Sequence, residues 1–209
     1  MKEHDRPTKI LQAYPCFREV DHIMDELQRI LNQGNPHFIS ELKNRWRTFC
    51  EKIQFYGVFK KVMRPPLADK VKQAVAMMKA LPDIFPSPTV PPKKLGHASE
   101  AMLHILESVE DPNTFLNARP LSSPVVIVCE SNCILAIGTM PVLIFPKEDI
   151  SDSAMYIMAC YYTFHLTYPK CLATLLSVLQ TEVLMDAIHD QDMTSSYKKA
   201  MAEWRKFTE

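Results

Sequence analysis

Apolar residues recur at helical spacing in the first part of the chain. Between residues 16 and 33, seven apolar side chains fall on one face of a helix: Phe17, Val20, Ile23, Met24, Leu27, Ile30 and Leu31. A second stripe covers about 36–54, and a third covers about 67–81. The pattern predicts three amphipathic helices. Residues 1–14, which are mostly polar, are predicted to be loose.

After residue 120 the pattern changes to short runs rich in β-branched residues. Segments 124–130 and 133–138 are apolar on both faces, and Ser131-Asn132 between them favours a hairpin turn. A third run covers 142–145, and a short helix is predicted before the strands, over about 97–107. These segments predict an antiparallel meander of about three strands.

The end of the chain is helical again. Helices are predicted over about 151–166 and about 169–188, with Tyr168-Pro169 between them, and a last helix begins at Thr194 or Ser195. The helix over about 151–166 is apolar enough to be a buried core helix. The second carries a leucine stripe that we predict to be buried against the strands and the helix 151–166: Leu172, Leu175, Leu176 and Leu179.

A run of prolines interrupts the chain between the helical and the mixed parts: Pro82, Pro86, Pro88, Pro91 and Pro92. We therefore predict a loose N-terminus (1–14), a basic helical region (15–81), a Pro-rich linker (82–96) and an α+β domain (97–209). The predicted fold class is α+β, with an N-terminal helical region followed by a small antiparallel sheet of about three strands covered by helices.

Composition narrows the possible classes of protein. Apolar residues make up 47% of the chain, which is enough for a core. There are only 4 glycines, and no Gly-rich phosphate-binding string occurs. No signal peptide is visible, and no apolar run reaches the roughly 18 residues of a spanning helix. We expect an intracellular protein without a membrane partner, in cytoplasm or nucleus, whose 6 cysteines are free thiols.

Charge is unevenly distributed although the net charge is zero. Residues 1–94 hold 17 basic and 10 acidic side chains, whereas residues 95–209 hold 7 basic and 14 acidic ones. Aromatic residues interleave with a basic segment over 41–80, a pattern that suits a polyanion such as nucleic acid. The alternative is a solvated face that meets the acidic C-terminal half. The candidate polyanion-binding residues are Lys43, Arg45, Arg47, Lys52, Lys60, Lys61, Arg64, Lys70 and Lys72.

Chemistry-bearing motifs are sparse. Cys129 and Cys133 lack the second cysteine or histidine pair that a zinc site needs, and a turn of three residues would bring the two thiols together. Asp186 and His189 crowd a helix end with two further aspartates. We predict no catalytic, metal or cofactor site. The leading interpretation is a non-enzymatic protein-interaction or scaffolding module with an unknown protein partner. The alternatives are nucleic-acid binding through residues 41–80 and a cysteine-dependent enzyme.

The segment 155–184 reads MYIMACYYTFHLTYPKCLATLLSVLQTEVL, and PVVIVCESNCILAIGTMPVLIFP precedes it. Both resemble the C-terminal region of a family of vertebrate proteins named sterile alpha motif domain-containing protein 3-like. Arg45-Trp46 and the string MKALP at 78–82 fit the same region. The resemblance implies a non-enzymatic module and brings no site residues with it. It implies no sterile-alpha-motif oligomerisation, because no such domain is evident here.

Overall fold

Helices surround a small sheet in this protein. The computed structural model describes residues 5–209. The helices are α1 (Arg6–Ala13), α2 (Val20–Asn32), α3 (Phe38–Phe59), α4 (Lys70–Ile84), α5 (Pro112–Ala118), α6 (Ser153–Thr163), α7 (Ala173–Glu182) and α8 (Ser195–Thr208). The strands are β1 (Leu103–Ile105), β2 (Pro124–Val128), β3 (Asn132–Ile137) and β4 (Met140–Pro146). The predicted α+β class is confirmed.

The sheet has the order β1-β2-β3-β4. Strands β2, β3 and β4 pair antiparallel, so the predicted meander is confirmed. The prediction of a purely antiparallel three-stranded sheet is wrong, because β1 adds a fourth strand parallel to β2, with Leu103 opposite Val126. Two adjacent parallel strands need a crossover between them, and α5 lies in that connection.

The helix predicted over about 97–107 is also wrong. Ala98–Ala101 form a single 3-10 turn, after which the chain extends into β1. The carbonyl of Met102 accepts a hydrogen bond from the Val126 amide at 2.9 Å, which begins the parallel pairing. A strand of three residues is too short to show a periodicity of two, and its partner lies more than 20 residues away along the chain.

The two faces of the sheet are covered differently. Leu135, Phe145 and other side chains of one face belong to the main hydrophobic core. On the opposite face Val125 and Ile127 pack beneath Leu116 of α5 in a second, smaller cluster. Helix α6 is buried along its whole length except at Tyr162, so the predicted core helix is confirmed. It packs between the sheet and α2, which explains why it has no polar face.

The leucine stripe on α7 is buried as predicted. Its four members are between 0% and 2% exposed: Leu172, Leu175, Leu176 and Leu179. Packing against α6 is confirmed, but the other main neighbour of α7 is α8 and not the strands. Helix α8 therefore closes over a surface that we had expected the sheet to cover.

Residues on both sides of the predicted linker contribute to one continuous core. Phe49 of α3 and Met78 of α4 belong to the same cluster as Leu135 of β3. The predicted linker begins inside α4, where Pro82 is buried, and Ser87 Oγ accepts a hydrogen bond from the Thr174 amide at 3.1 Å. The division of the chain at 82–96 stays a prediction.

The N-terminus was predicted to be loose over residues 1–14. Instead residues 6–13 form α1, whose side chains Pro7 and Leu11 are buried. Pro7 suits the first turn of a helix, since the amide that proline lacks has no partner in that position. Residues 1–4 of the predicted segment lie outside the described residues.

Two carboxylates contact the imidazole of His104 in β1, and a lysine contacts one of those carboxylates. The imidazole Nδ1 lies 2.6 Å from Glu100 Oε2, and its Nε2 lies 2.9 Å from Glu110 Oε2. Both ring nitrogens can donate at once only when the imidazole is protonated. Lys79 Nζ donates to Glu100 Oε1 at 3.1 Å. Burial acts to raise the pKa of Glu100, but the hydrogen bonds from His104 and Lys79 together outweigh it, and the pKa is lowered.

We expect Glu100 to contribute to the loss of stability in acid. Because its pKa in the folded protein lies below the ordinary 4.5, the ionised carboxylate stabilises the fold above that pH. This contribution is lost as the pH falls through the folded value. The Glu100→Gln variant should be less stable than wild type at neutral pH and lose less stability between roughly pH 5 and pH 3. Urea unfolding curves measure the difference, with Glu130→Gln at the exposed hairpin turn as control. Parallel pH dependences for wild type and Glu100→Gln would contradict the prediction.

Candidate interaction surface

The nine predicted polyanion-binding residues are spread over α3, the turn that follows it and the start of α4. Lys43, Arg45, Arg47 and Lys52 lie on α3, Lys60, Lys61 and Arg64 lie in the turn, and Lys70 and Lys72 begin α4. Phe59, the last residue of α3, lies sixteen positions after Lys43, about 24 Å along the helix axis. Lys43 is therefore far from the basic residues of the turn that follows α3.

Three of these basic side chains, Lys43, Arg45 and Lys60, contact distant parts of the chain, whereas Lys72 pairs locally with Asp69, three residues before it. Lys43 lies 3.9 Å from Asp152, and Arg45 Nε donates to the Val183 carbonyl at 2.8 Å. Lys60 Nζ donates to the Ile84 carbonyl at 3.0 Å and lies 3.5 Å from Glu203. Several of these contacts reach the acidic C-terminal half, so part of the basic segment serves tertiary packing.

The other basic side chains lie at the C-terminal end of α3 and the start of α4, apart from Arg47, which donates to Asn44. Lys52, Lys61, Arg64 and Lys70 are exposed, and none of the four makes an ion pair with a residue in the range 5–209. Two acidic residues lie near them in the sequence, Glu51 and Asp69, and the latter is engaged with Lys72 at 3.7 Å. This end of α3 is therefore locally basic.

Apolar side chains lie exposed among these lysines and arginines. Phe55 and Phe59 are each 70% exposed. Val58, Val62 and Leu67 are exposed to 38%, 37% and 49%. We call the surface formed by these five residues the α3 apolar surface. Phe55, Val58 and Phe59 are spaced by three and one along α3, so they lie on one side of the helix, away from the core stripe.

The turn after α3 holds the remaining members of the surface in place. Lys61 adopts a left-handed φ of 61°, which ends the helix and turns the chain back. Gly57 permits the close return, since a Cβ there would lie 2.6 Å from Met63 Sδ. Gln54 Nε2 donates to the Arg64 carbonyl at 3.1 Å, and Gln73 accepts from the Leu67 amide at 2.8 Å. Gln73 also donates to Gln54, so the turn is tied to α3 beside Phe55.

The ring of Phe59 packs against a cluster of aromatic side chains. It lies 5.5 Å from that of Phe207 in α8 and 6.5 Å from that of Tyr56. Tyr56 in turn lies 5.3 Å from Trp204, which is buried. Burial, assisted by the carboxylate of Glu203, raises the pKa of Tyr56, which keeps the phenol neutral. The exposed ring is thus the outer member of a cluster that continues into the core.

The aromatic residues that interleave with the basic segment fall into a buried group and an exposed group. Trp46 is 3% exposed and its Nε1 donates to the Ser151 carbonyl at 2.6 Å, and Tyr56 is also 3% exposed. Only Phe55 and Phe59 face solvent. The sequence does carry a signal for this difference, because the two phenylalanines fall four residues apart and off the Phe49, Ile53 and Tyr56 stripe.

The two hairpin cysteines lie on opposite faces of the sheet. The Cys129 amide donates to the Asn132 carbonyl at 2.9 Å, so the turn has two residues and not the three that would bring the thiols together. Cys133 belongs to the main core, whereas Cys129 packs against the cluster beneath α5. Burial raises the pKa of Cys129 and raises the pKa of Cys133 to about 11. Both thiols therefore stay protonated near neutral pH.

The acidic helix end also has a structural role. Asp186 accepts hydrogen bonds from Tyr162 and from Gln180 Nε2, the latter at 3.1 Å. Within residues 5–209, no group of three or more His, Cys, Asp or Glu side chains is placed to hold a metal ion. In the same part of the chain, no helix has both the length and the apolar character needed to cross a membrane.

Comparison with known proteins does not extend this picture. No protein-family model, no curated protein and no solved structure matches the chain. The resemblance to the sterile alpha motif domain-containing protein 3-like family stays a prediction.

Proposed function

We propose that this protein is a non-enzymatic interaction module that binds an acidic, partly apolar segment of a partner protein on the α3 apolar surface. The observation that carries the proposal is the exposure of Phe55 and Phe59, each 70%, with the Phe59 ring packed against that of Phe207. Single exposed apolar residues are ordinary, but a contiguous patch rimmed by polar groups is typical of a docking site. Phenylalanine is also enriched in protein interfaces.

The rim of the surface supports an acidic partner. Lys52, Lys61, Arg64 and Lys70 are exposed in the same stretch of chain as the apolar side chains and form no ion pair among the described residues. Opposite charges across an interface steer the encounter and fix its register, while the apolar centre supplies most of the affinity. A segment with carboxylates flanking two or three apolar side chains therefore fits best.

A nucleic-acid partner is less well supported by the same geometry. Lys43, Arg45 and Lys60 already contact other parts of the protein, which reduces the charge available to a phosphate backbone. Three of the five members of the α3 apolar surface, Val58, Val62 and Leu67, offer no ring on which a base can stack. These residues favour a protein segment.

The raised pKa values of the hairpin thiols support the non-enzymatic part of the proposal. A cysteine nucleophile reacts as the thiolate, and burial disfavours that form at Cys129 and Cys133. Their positions on opposite faces of the sheet also prevent them from acting together.

Selection from a library of random peptides displayed on phage tests the proposal. We expect wild type to enrich peptides that combine acidic and apolar residues. A Phe55→Ser, Phe59→Ser variant should bind those peptides at least tenfold more weakly, because two central aromatic contacts are lost. Both positions are mostly exposed, so the variant should retain its fold, which thermal unfolding checks. Fluorescence anisotropy gives the affinities.

Val109→Ser is the matched control, since Val109 is 92% exposed and lies outside the α3 apolar surface. It should bind the selected peptides like wild type. Equal binding to wild type and to the double phenylalanine variant would sink the proposal. The proposal would also fail if no peptide were enriched, while a single-stranded oligonucleotide or phosphatidylserine vesicles bound wild type and bound the double variant more weakly.

A further inference from the structure

A cleft of about 690 Å³ opens on the protein where four separate segments meet. Helix α1, the loop before β2, the turn between β3 and β4, and the loop between α6 and α7 each contribute to its walls. Its size lies within the range of roughly 300 to 1,000 Å³ that small-molecule sites occupy. None of the residues discussed for the α3 apolar surface lines it.

The walls of the cleft combine hydroxyl groups with apolar patches. The hydroxyl-bearing side chains include Thr8, Ser122, Ser123, Thr139 and Thr167. The apolar part includes Leu121, Ile137 and Met140. Among the described residues that line the cleft there is no aspartate or glutamate, and Lys170 lines it with an exposed side chain. The composition favours an anionic group attached to an apolar one.

A buried guanidinium lies directly behind one wall. Arg119 is 9% exposed, and its Nη1 donates to the carbonyls of Leu121 at 2.8 Å and Ser123 at 2.7 Å, two residues of the lining. Its Nη2 donates to the Ala101 carbonyl at 3.0 Å and to Ser123 Oγ at 3.1 Å, while Nε has no partner within the described residues. All four bonds go to neutral oxygens, and Arg119 forms no ion pair with any residue between 5 and 209.

This arrangement leaves a buried positive charge without a counter-ion. Burial lowers the pKa of Arg119 to about 10, so the guanidinium remains charged at neutral pH. Buried charges are normally matched by an opposite one, because desolvation is costly. An anion in the adjacent cleft would lie on the other side of the wall that Arg119 binds through Leu121 and Ser123, and would supply that match.

We propose that this cleft binds a phosphate ester with an apolar substituent. A phosphate offers several acceptor oxygens for the hydroxyls of Ser122 and Thr139. Lysine binds phosphate as a point charge, and Lys170 is the residue to which we assign this contact. Arg119 acts as a positioning residue, since its hydrogen bonds hold the Leu121–Ser123 wall in place. Its positive charge lies on the other side of that wall and attracts the phosphate. The apolar substituent packs on Ile137 and Met140.

The test uses phenyl phosphate as the probe, with the full chain labelled at its methyl groups for NMR. Titration should shift the methyl signals of Ile137, Met140 and Leu121 and leave that of Met185, which lies outside the cleft, unchanged. Lys170→Gln should raise the dissociation constant of phenyl phosphate roughly tenfold, since a charge-assisted contact is lost. Lys206→Gln, an exposed lysine on α8, is the matched control and should bind like wild type.

Two further probes separate the contributions of charge and of apolar contact. Benzoate should bind more weakly than phenyl phosphate, and phenol should bind far more weakly still. Equal binding of phenol and phenyl phosphate would overturn the proposal, because the cleft would then recognise only the ring. Unchanged cleft methyl signals, or equal affinity of wild type and Lys170→Gln, would overturn it as well. Lys170 is exposed and makes no ion pair among the described residues, so folding of that variant is expected.

Discussion

Replacing Trp204 with alanine should lower the free energy of unfolding by about 3 to 5 kcal/mol. Trp204 is 2% exposed, and its ring lies 5.4 Å from that of Phe49 in α3 and 5.9 Å from that of Phe85. Its Nε1 also donates to Glu182 Oε2 in α7 at 2.9 Å. One side chain thus joins α8 to two other helices, and a domain of this size has only about 5 to 15 kcal/mol of stability.

Equilibrium unfolding in urea measures this loss, and Trp204→Phe separates its two sources. The phenylalanine keeps most of the packing but leaves Glu182 without its indole donor. We expect that variant to lose about 1 to 2 kcal/mol, the typical result of leaving one polar partner unmet. A loss below about 1 kcal/mol for Trp204→Ala would show that α8 is not anchored by this residue.

Because Phe207 lies on the same helix, detaching α8 should also affect the α3 apolar surface. The Phe207 ring supports Phe59 at 5.5 Å. Peptides selected on wild type should therefore bind Trp204→Ala more weakly, even under conditions where the variant remains folded. This result would connect the stability of the aromatic cluster with the proposed docking site.

Leu176→Ala should destabilise the protein by about 2 to 5 kcal/mol. Leu176 and its neighbour Leu175 are both 0% exposed, and α7 lies between α6 and α8. Removal of the side chain leaves a cavity that close-packed helices fill only in part. A clear fall in the melting temperature, followed by circular dichroism, is the expected result.

Lys170→Ala is the control for this prediction. Lys170 lies just before α7 and is exposed, so its removal should change the melting temperature little. A Leu176→Ala variant that melts like wild type would contradict the core assignment of α7 and make the leucine stripe a partner-binding surface instead.

Local periodicity was sufficient to predict the longer elements. The stripes that define α2, α3 and α4 are visible in the sequence because a helix repeats its environment within four residues. The β2–β3 hairpin was visible for a similar reason, since its strands are adjacent in the chain and joined by a short turn. Strand β1 was missed because it has three residues and pairs with a distant segment, so nothing local distinguishes it from a helical turn.

The candidate sites depended more on tertiary contacts. Nine basic residues look equivalent in the sequence, but Lys43, Arg45 and Lys60 contact distant parts of the chain, whereas Arg47 and Lys72 have only local partners, Asn44 and Asp69. The cleft could not be predicted at all, because its walls come from four segments separated by long stretches of chain. Which polar groups meet is set by packing, and packing is not encoded in any short window of sequence.

The sequence by itself thus determined the fold class, the buried character of α6 and α7, and the presence of a basic segment with aromatic residues. These properties follow from the type and spacing of residues along a few turns or a single hairpin. Only the tertiary structure decided that β1 pairs parallel to β2, that Cys129 and Cys133 face opposite sides of the sheet, and that Arg119 is buried without a counter-ion among residues 5–209. Each of these depends on which distant surfaces the chain brings together when it buries its apolar side chains, because burial is non-directional and fixes no partner until the whole core has formed.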